Sequence, residues 1–194
     1  MLVGNAIHGT ASGAAKSRAL QFIQWLATES DAVDAMLRSR DVLLTVQVRT
    51  GEGDQGTVVE WEPPNTAITV TINYRANPQL ALEGDLLHEL ILHAEPATRK
   101  HISAVSTGRV PGHAATDDAI EAEETVEHTD PAGWYRAAEL ALKRNDNNAL
   151  LEQLIADAAG HSTAAANAVL TRLVAAGKIS SDYAEELKDG LINV

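Results

Sequence analysis

Apolar residues change their spacing twice along this chain, and that change restricts the fold more than any other feature. From Ala14 to about Thr28, residues Ala19, Phe22, Ile23 and Leu26 recur at helical intervals. Ser30 and Asp31 then read as the cap of a second, short helix ending near Arg38. In DVLLTVQVR the period becomes two: Val42, Leu44, Val46 and Val48 alternate with more polar neighbours. TVVEW returns as a second strand and PPN interrupts it. AITVTINY is a third strand, with Ile68, Val70, Ile72 and Tyr74 on one face and Thr69, Thr71 and Asn73 on the other. Beyond RANPQLALEG the helical period resumes and continues to the C-terminus.

These patterns predict an α+β protein. A small, mainly antiparallel sheet is expected because its connections are short. N-terminal helices precede it, and a mostly helical C-terminal half follows. The reading divides the chain into an α+β domain over 1–145 and a helical appendage over 146–194. Asp130 before Pro131 marks a helix start, since proline at the first helical position loses no needed donor. Gly160 and Gly177 fall where helix C-caps are expected. Residues 1–13 read as a mobile, Gly-rich tail.

Composition then removes whole classes of function. Apolar residues make up 45% of the 194 and aromatics 4%, so the core must be built from Ala, Leu, Val and Ile. The net charge of −12 argues against a nucleic-acid partner, whose phosphates require basic patches, and against an anionic membrane surface. The N-terminus lacks the pattern of a cleaved signal, and no run approaches the roughly 18 apolar residues that span a bilayer. The expectation is a soluble protein, cytoplasmic in the producing cell or exported by a route that needs no signal peptide. With no cysteine, any metal site must draw on His, Asp and Glu.

Five of the seven histidines lie between positions 88 and 128, together with a run of glutamates. Within GDLLHELILHAEP, Glu89 directly follows His88, and His93 comes five residues after His88. At about 100° per residue, positions five apart on a regular helix diverge by about 140°, too far to share a metal. A π-bulge would insert one residue and restore a common face, so a widened turn is expected between His88 and His93. Zinc would then be held by His88, His93 and a third ligand from the acidic helix read over 119–128. His128 is preferred there over Glu124, with His101 as a further candidate. Glu89 is placed to take a proton from a zinc-bound water. Tyr135, close by in sequence, is a candidate oxyanion donor. The strand over 67–74 would line the cleft and pair with an extended peptide.

The motif HELILH, with Glu123–Glu124 downstream, resembles the H-E-x-x-x-H zinc motif of dipeptidyl peptidase III. The layout from Ala19 to His93, with helices, strands and then a His-Glu helix, is similar to that of zincin-type metallopeptidase domains of bacterial effectors and toxins. The resemblance implies a zinc peptidase acting on a protein or peptide, with a delivery system as a further partner.

A second reading keeps the histidines as polar positions on a core helix and Glu121–Glu127 as a solvated acidic face. The protein would then be a non-enzymatic α+β assembly protein whose Ala-rich C-terminal helices dock a helical partner. His8 falls in the mobile tail, His113 reads as ordinary surface in a loop, and His161 reads as a capping neighbour. GEGDQG lacks the lysine and the following helix of a phosphate-binding loop. No G-x-S-x-G elbow is present.

Overall fold

In this computed structural model, residues 7–50, 56–62, 65–74, 79–106, 125–144 and 148–192 are described. They form two units, residues 1–117 and residues 118–194. The first contains β1 (Ile7–His8), α1 (Gly13–Glu29), α2 (Asp31–Arg38), β2 (Val42–Thr50), β3 (Gly56–Glu62), β4 (Asn65–Tyr74), α3 (Gln79–Leu87), a π-helical segment (His88–Ala94) and α4 (Glu95–Ser106). The α+β class is as expected, but the strand pairing differs.

The sheet order is β1-β2-β4-β3. Strands β1 and β2 are parallel, β2 and β4 are parallel, and only β3 and β4 are antiparallel. The mainly antiparallel sheet expected from short connections is therefore corrected to a mixed one. Burial explains the order. Ile68, Val70 and Ile72 of β4 are fully buried, and Val70 and Ile72 stand beside buried Val46 and Val48 of β2. A β2–β3 hairpin would have left this apolar strand at the edge. Instead the edge goes to β3, which carries Glu60 and Glu62 and exposes Val58; charge on an edge strand also discourages pairing with other chains.

Helices cover one face of the sheet. Phe22, Ile23 and Leu26 of α1, Val33 and Met36 of α2, and Leu82, Leu86 and Leu87 of α3 are buried with the inward-facing valines and isoleucines. Serine side chains start both N-terminal helices. Ser12 accepts from the Ala15 N–H at 3.2 Å and Ser30 from the Val33 N–H at 3.4 Å, each satisfying an orphan donor of the first turn.

The tail reading fails at its inner end. Ile7 and His8 pair with Val46 and Gln47, and the Ala11 N–H donates to the Val48 carbonyl at 3.0 Å. Gly9, with φ +111°, makes this possible. A Cβ there would lie 2.2 Å from the Val48 oxygen, so no larger residue fits without moving the strand.

The second unit contains a helical turn at 125–129, α5 (Pro131–Lys143), α6 (Ala149–His161), α7 (Thr163–Ala175) and α8 (Ser181–Ile192). Helix α5 packs with α6 and α7, burying Trp134, Ala137, Ala138 and Ala141 completely. The boundary expected at 145–146 thus moves upstream of this helix. Small residues permit the close approach, and Leu150, Leu151, Leu154, Val169, Leu170 and Leu173 fill the remaining space. Asp130 caps α5, accepting from the Ala132 N–H at 2.9 Å. Gly177 ends α7 as expected. Its φ is +65°, and the Lys178 N–H reaches back to the Leu173 carbonyl at 2.9 Å, a Schellman closure. Gly160 instead lies inside α6, which runs on to His161. Among the described residues, no helix is long and apolar enough to cross a membrane.

Helix α8 is tied to α6 by the Tyr183 hydroxyl, which donates to Glu152 at 3.0 Å. Burial, and then the Glu152 carboxylate, push the Tyr183 phenol up to about 12, against about 10 for an unperturbed tyrosine. The folded state therefore holds this proton more tightly than the unfolded state. The corresponding stability is complete below about pH 10 and is lost as the pH rises towards 12. Chemical denaturation of wild type and Tyr183→Phe across this range should show a smaller alkaline loss in the variant. Equal losses would remove Tyr183 as its source.

Candidate metal centre

The central feature is one helix, residues 79–106, with a π segment in the middle. Leu87 before it and Glu95 after it have ordinary right-handed helical backbone, φ/ψ −62°/−48° and −66°/−48°. The Glu95 N–H donates to the Leu90 carbonyl, the five-residue step of a π turn. The extra residue expected from the histidine spacing is thus accommodated between the histidines.

The effect on the side chains is direct. The Nε2 atoms of His88 and His93 are 3.1 Å apart, with ring centroids at 5.1 Å and planes inclined by 43°. On a regular helix the two rings would diverge. Two imidazole nitrogens bound to one tetrahedral zinc at about 2.0–2.1 Å would be about 3.3 Å apart, so the observed pair has the separation of two corners of such a site. The same separation suits a hydrogen bond in which one Nε2–H donates to the other Nε2. Metal binding requires Nε2 of both rings to be unprotonated, with each proton on Nδ1. His88 is buried and His93 is half-buried.

Glu89 occupies the next position on the same turn and is only 4% exposed. A buried carboxylate is costly unless it is hydrogen-bonded. Thr57 of β3 supplies a bond: its Oγ1 donates to Glu89 Oε2 at 2.7 Å and lies 3.4 Å from the Glu89 carbonyl oxygen. Nothing in TVVEW distinguishes Thr57 from any other strand threonine, so the sequence does not single it out. The strand over 67–74 is the one expected to line the cleft. That strand, β4, is paired on both sides, and the strand joined to Glu89 is the edge strand β3.

His101 is engaged elsewhere in the first unit. It is buried, and its Nδ1 is 2.6 Å from Thr66 Oγ1 on β4. That bond ties α4 to the sheet.

The second unit holds another histidine pair. His128 and His161 stack with centroids 3.9 Å apart and planes inclined by 11°, and their candidate ligand atoms lie within 4.8 Å. Trp134 lies beside both rings, at 6.5 Å from His128 and 6.0 Å from His161, and its indole N–H donates to the His128 carbonyl at 2.9 Å. His161 Nε2 is also 3.6 Å from Asp157 Oδ1, one helical turn earlier. His161, read from sequence as a capping neighbour, is therefore the partner of His128. Tyr135 lies under the guanidinium of Arg172, whose Cζ is 4.2 Å from the ring centroid. Burial, then the hydroxyl's bond to Glu139, raises the Tyr135 phenol above its ordinary value. Glu121, Glu123 and Glu124 lie outside the described residues, as does His113.

No protein-family model, curated protein or solved structure matches the chain.

The π turn does two things at once: it brings the histidines together and sets the rotation of α4. Deleting Ile91 would restore four-residue spacing but turn α4 by about 100° relative to α3. That would carry buried Ala97, Thr98 and His101 away from their positions. The deletion variant should melt well below wild type, the loss reflecting several kcal/mol of mispacked core. An unchanged melting temperature would show that α4 does not depend on the extra residue.

Proposed function

We propose that this chain is a zinc-dependent peptidase whose metal is held by His88 and His93, with Glu89 as the general base. The observation that carries the reading is the 3.1 Å separation of the two Nε2 atoms, produced by a turn that departs from regular helix between them. Buried Glu89, placed beside His88 and anchored through one oxygen, supports it. Bound zinc would acidify a water molecule and polarise the scissile carbonyl. Glu89 would accept the proton of the attacking water and pass it to the leaving amine. The third ligand is proposed from the residues read as candidates in the sequence, His128 ahead of Glu124. The edge strand β3 could hold an extended peptide or protein segment by backbone pairing.

The competing reading takes the 3.1 Å contact as an imidazole hydrogen bond in a non-enzymatic assembly protein. Metal content separates the two. Protein purified without a histidine tag should carry about one zinc per chain near neutral pH. His88→Ala and His93→Ala should each abolish stoichiometric binding. Of His128→Ala and Glu124→Gln, the variant that loses zinc identifies the third ligand. Glu89→Gln should retain zinc while hydrolysis of a peptide library falls by about 10²–10⁴-fold. A wild-type chain that binds no zinc would refute the proposal.

A further inference from the structure

Glu89 has two carboxylate oxygens in different situations. Oε2 accepts the Thr57 hydroxyl at 2.7 Å, whereas Oε1 has no hydrogen bond among the described residues. From this asymmetry we infer that Thr57 is a positioning residue, holding Glu89 by Oε2 so that Oε1 is the oxygen that takes the proton. The inference rests on the zinc-peptidase reading and adds to it a residue from outside the His-Glu helix.

The anchor is well placed for the task. A glutamate side chain has three torsions to fix, and a bond from its own helix would restrain it only relative to that helix. Thr57 belongs to β3, whose register is set against β4 through Thr57↔Val70, with Val70 fully buried. The branched Cβ of threonine also stiffens its first torsion. The hydroxyl has one proton, and its short contact to Oε2 takes precedence over the 3.4 Å approach to the Glu89 carbonyl. In the hydrolytic step a lone pair of the water oxygen forms the new C–O bond, the carbonyl π pair moves onto the carbonyl oxygen, and the water O–H bond breaks as its proton passes to Oε1. The pair on the carbonyl oxygen then re-forms the C=O bond, the C–N pair leaves with the amine nitrogen, and the same proton passes from Oε1 to that nitrogen. Thr57 exchanges no proton in either event.

The test uses the zinc-loaded full chain, a quenched-fluorescent peptide library and two substitutions. Thr57→Val keeps the shape and removes the hydroxyl; Thr57→Ser restores the hydroxyl without the methyl. Thr57→Val should retain wild-type zinc content and KM while kcat falls roughly ten- to a hundredfold, the scale of a misplaced catalytic group. Thr57→Ser should recover most of that loss. Cobalt-substituted protein gives a readout that requires no cleaved substrate: its visible spectrum should shift in Thr57→Val and return in Thr57→Ser. If Thr57→Val turns over like wild type, or Thr57→Ser is as slow as Thr57→Val, the positioning role is overturned while the zinc reading stands. If metal binds but no peptide is cleaved, an unshifted cobalt spectrum overturns it. If the wild type binds neither zinc nor cobalt, the zinc reading fails and this inference fails with it.

Discussion

The Glu95 N–H bonds to the carbonyl of Leu90 rather than Ile91, and the rest of the first unit is arranged around that step. It gives one long helix two rotational settings. Before it, α3 presents Leu82, Leu86 and Leu87 to the core. After it, α4 presents Ala97, Thr98 and His101, with His101 bonded to Thr66 of the central strand. Between them, His88 and His93 face each other. A π turn gives up regular hydrogen bonding and is tolerated when packing on both sides compensates. Here the compensation is visible in buried Leu82, Leu86 and Leu87 on one side and in buried Ala97, Thr98 and His101 on the other.

That turn was legible from two histidines alone. Five-residue spacing combined with a requirement for a common face leaves few local solutions, and the bulge is the simplest. The helical and strand segments were likewise readable, because amphipathic periods of 3.6 and 2 leave separate traces. The sheet order was not. Val42–Val48 and Ile68–Ile72 look alike in sequence, and nothing local tells a strand which neighbour it will take. The choice rests on which strand most needs burial on both flanks, and that emerges only when all the strands are compared. The charged residues of β3 were a usable clue, since an edge tolerates them better than a centre.

The missed residues share one cause. Thr57, Thr66 and His161 matter through partners far away in sequence: Glu89 is 32 residues from Thr57, and His101 is 35 from Thr66. A lone threonine in a strand or a histidine at a helix end has no periodic signature. His161 was read from its nearest neighbours, and Ser162 does cap the next helix, accepting from the Ala165 N–H at 3.2 Å. The imidazole itself belongs to a stack on His128. The position of the domain boundary is hidden in the sequence for a related reason. A break near Arg144 was clear, but a break between helices does not say which side owns the preceding helix. Ala137, Ala138 and Ala141, buried among the C-terminal helices, settle that.

Trp134 has a use beyond packing. Of the three tryptophans, Trp25 and Trp61 fall in the first unit and Trp134 alone in the second, where its ring is fully buried beside two imidazoles. Its emission should therefore differ from that of an indole in water, and protonated imidazole nearby is a natural quencher. With Trp25 and Trp61 replaced by phenylalanine, the remaining fluorescence would belong to the helical unit alone. The chain thus contains an optical label for one half of itself, already in place in the native sequence.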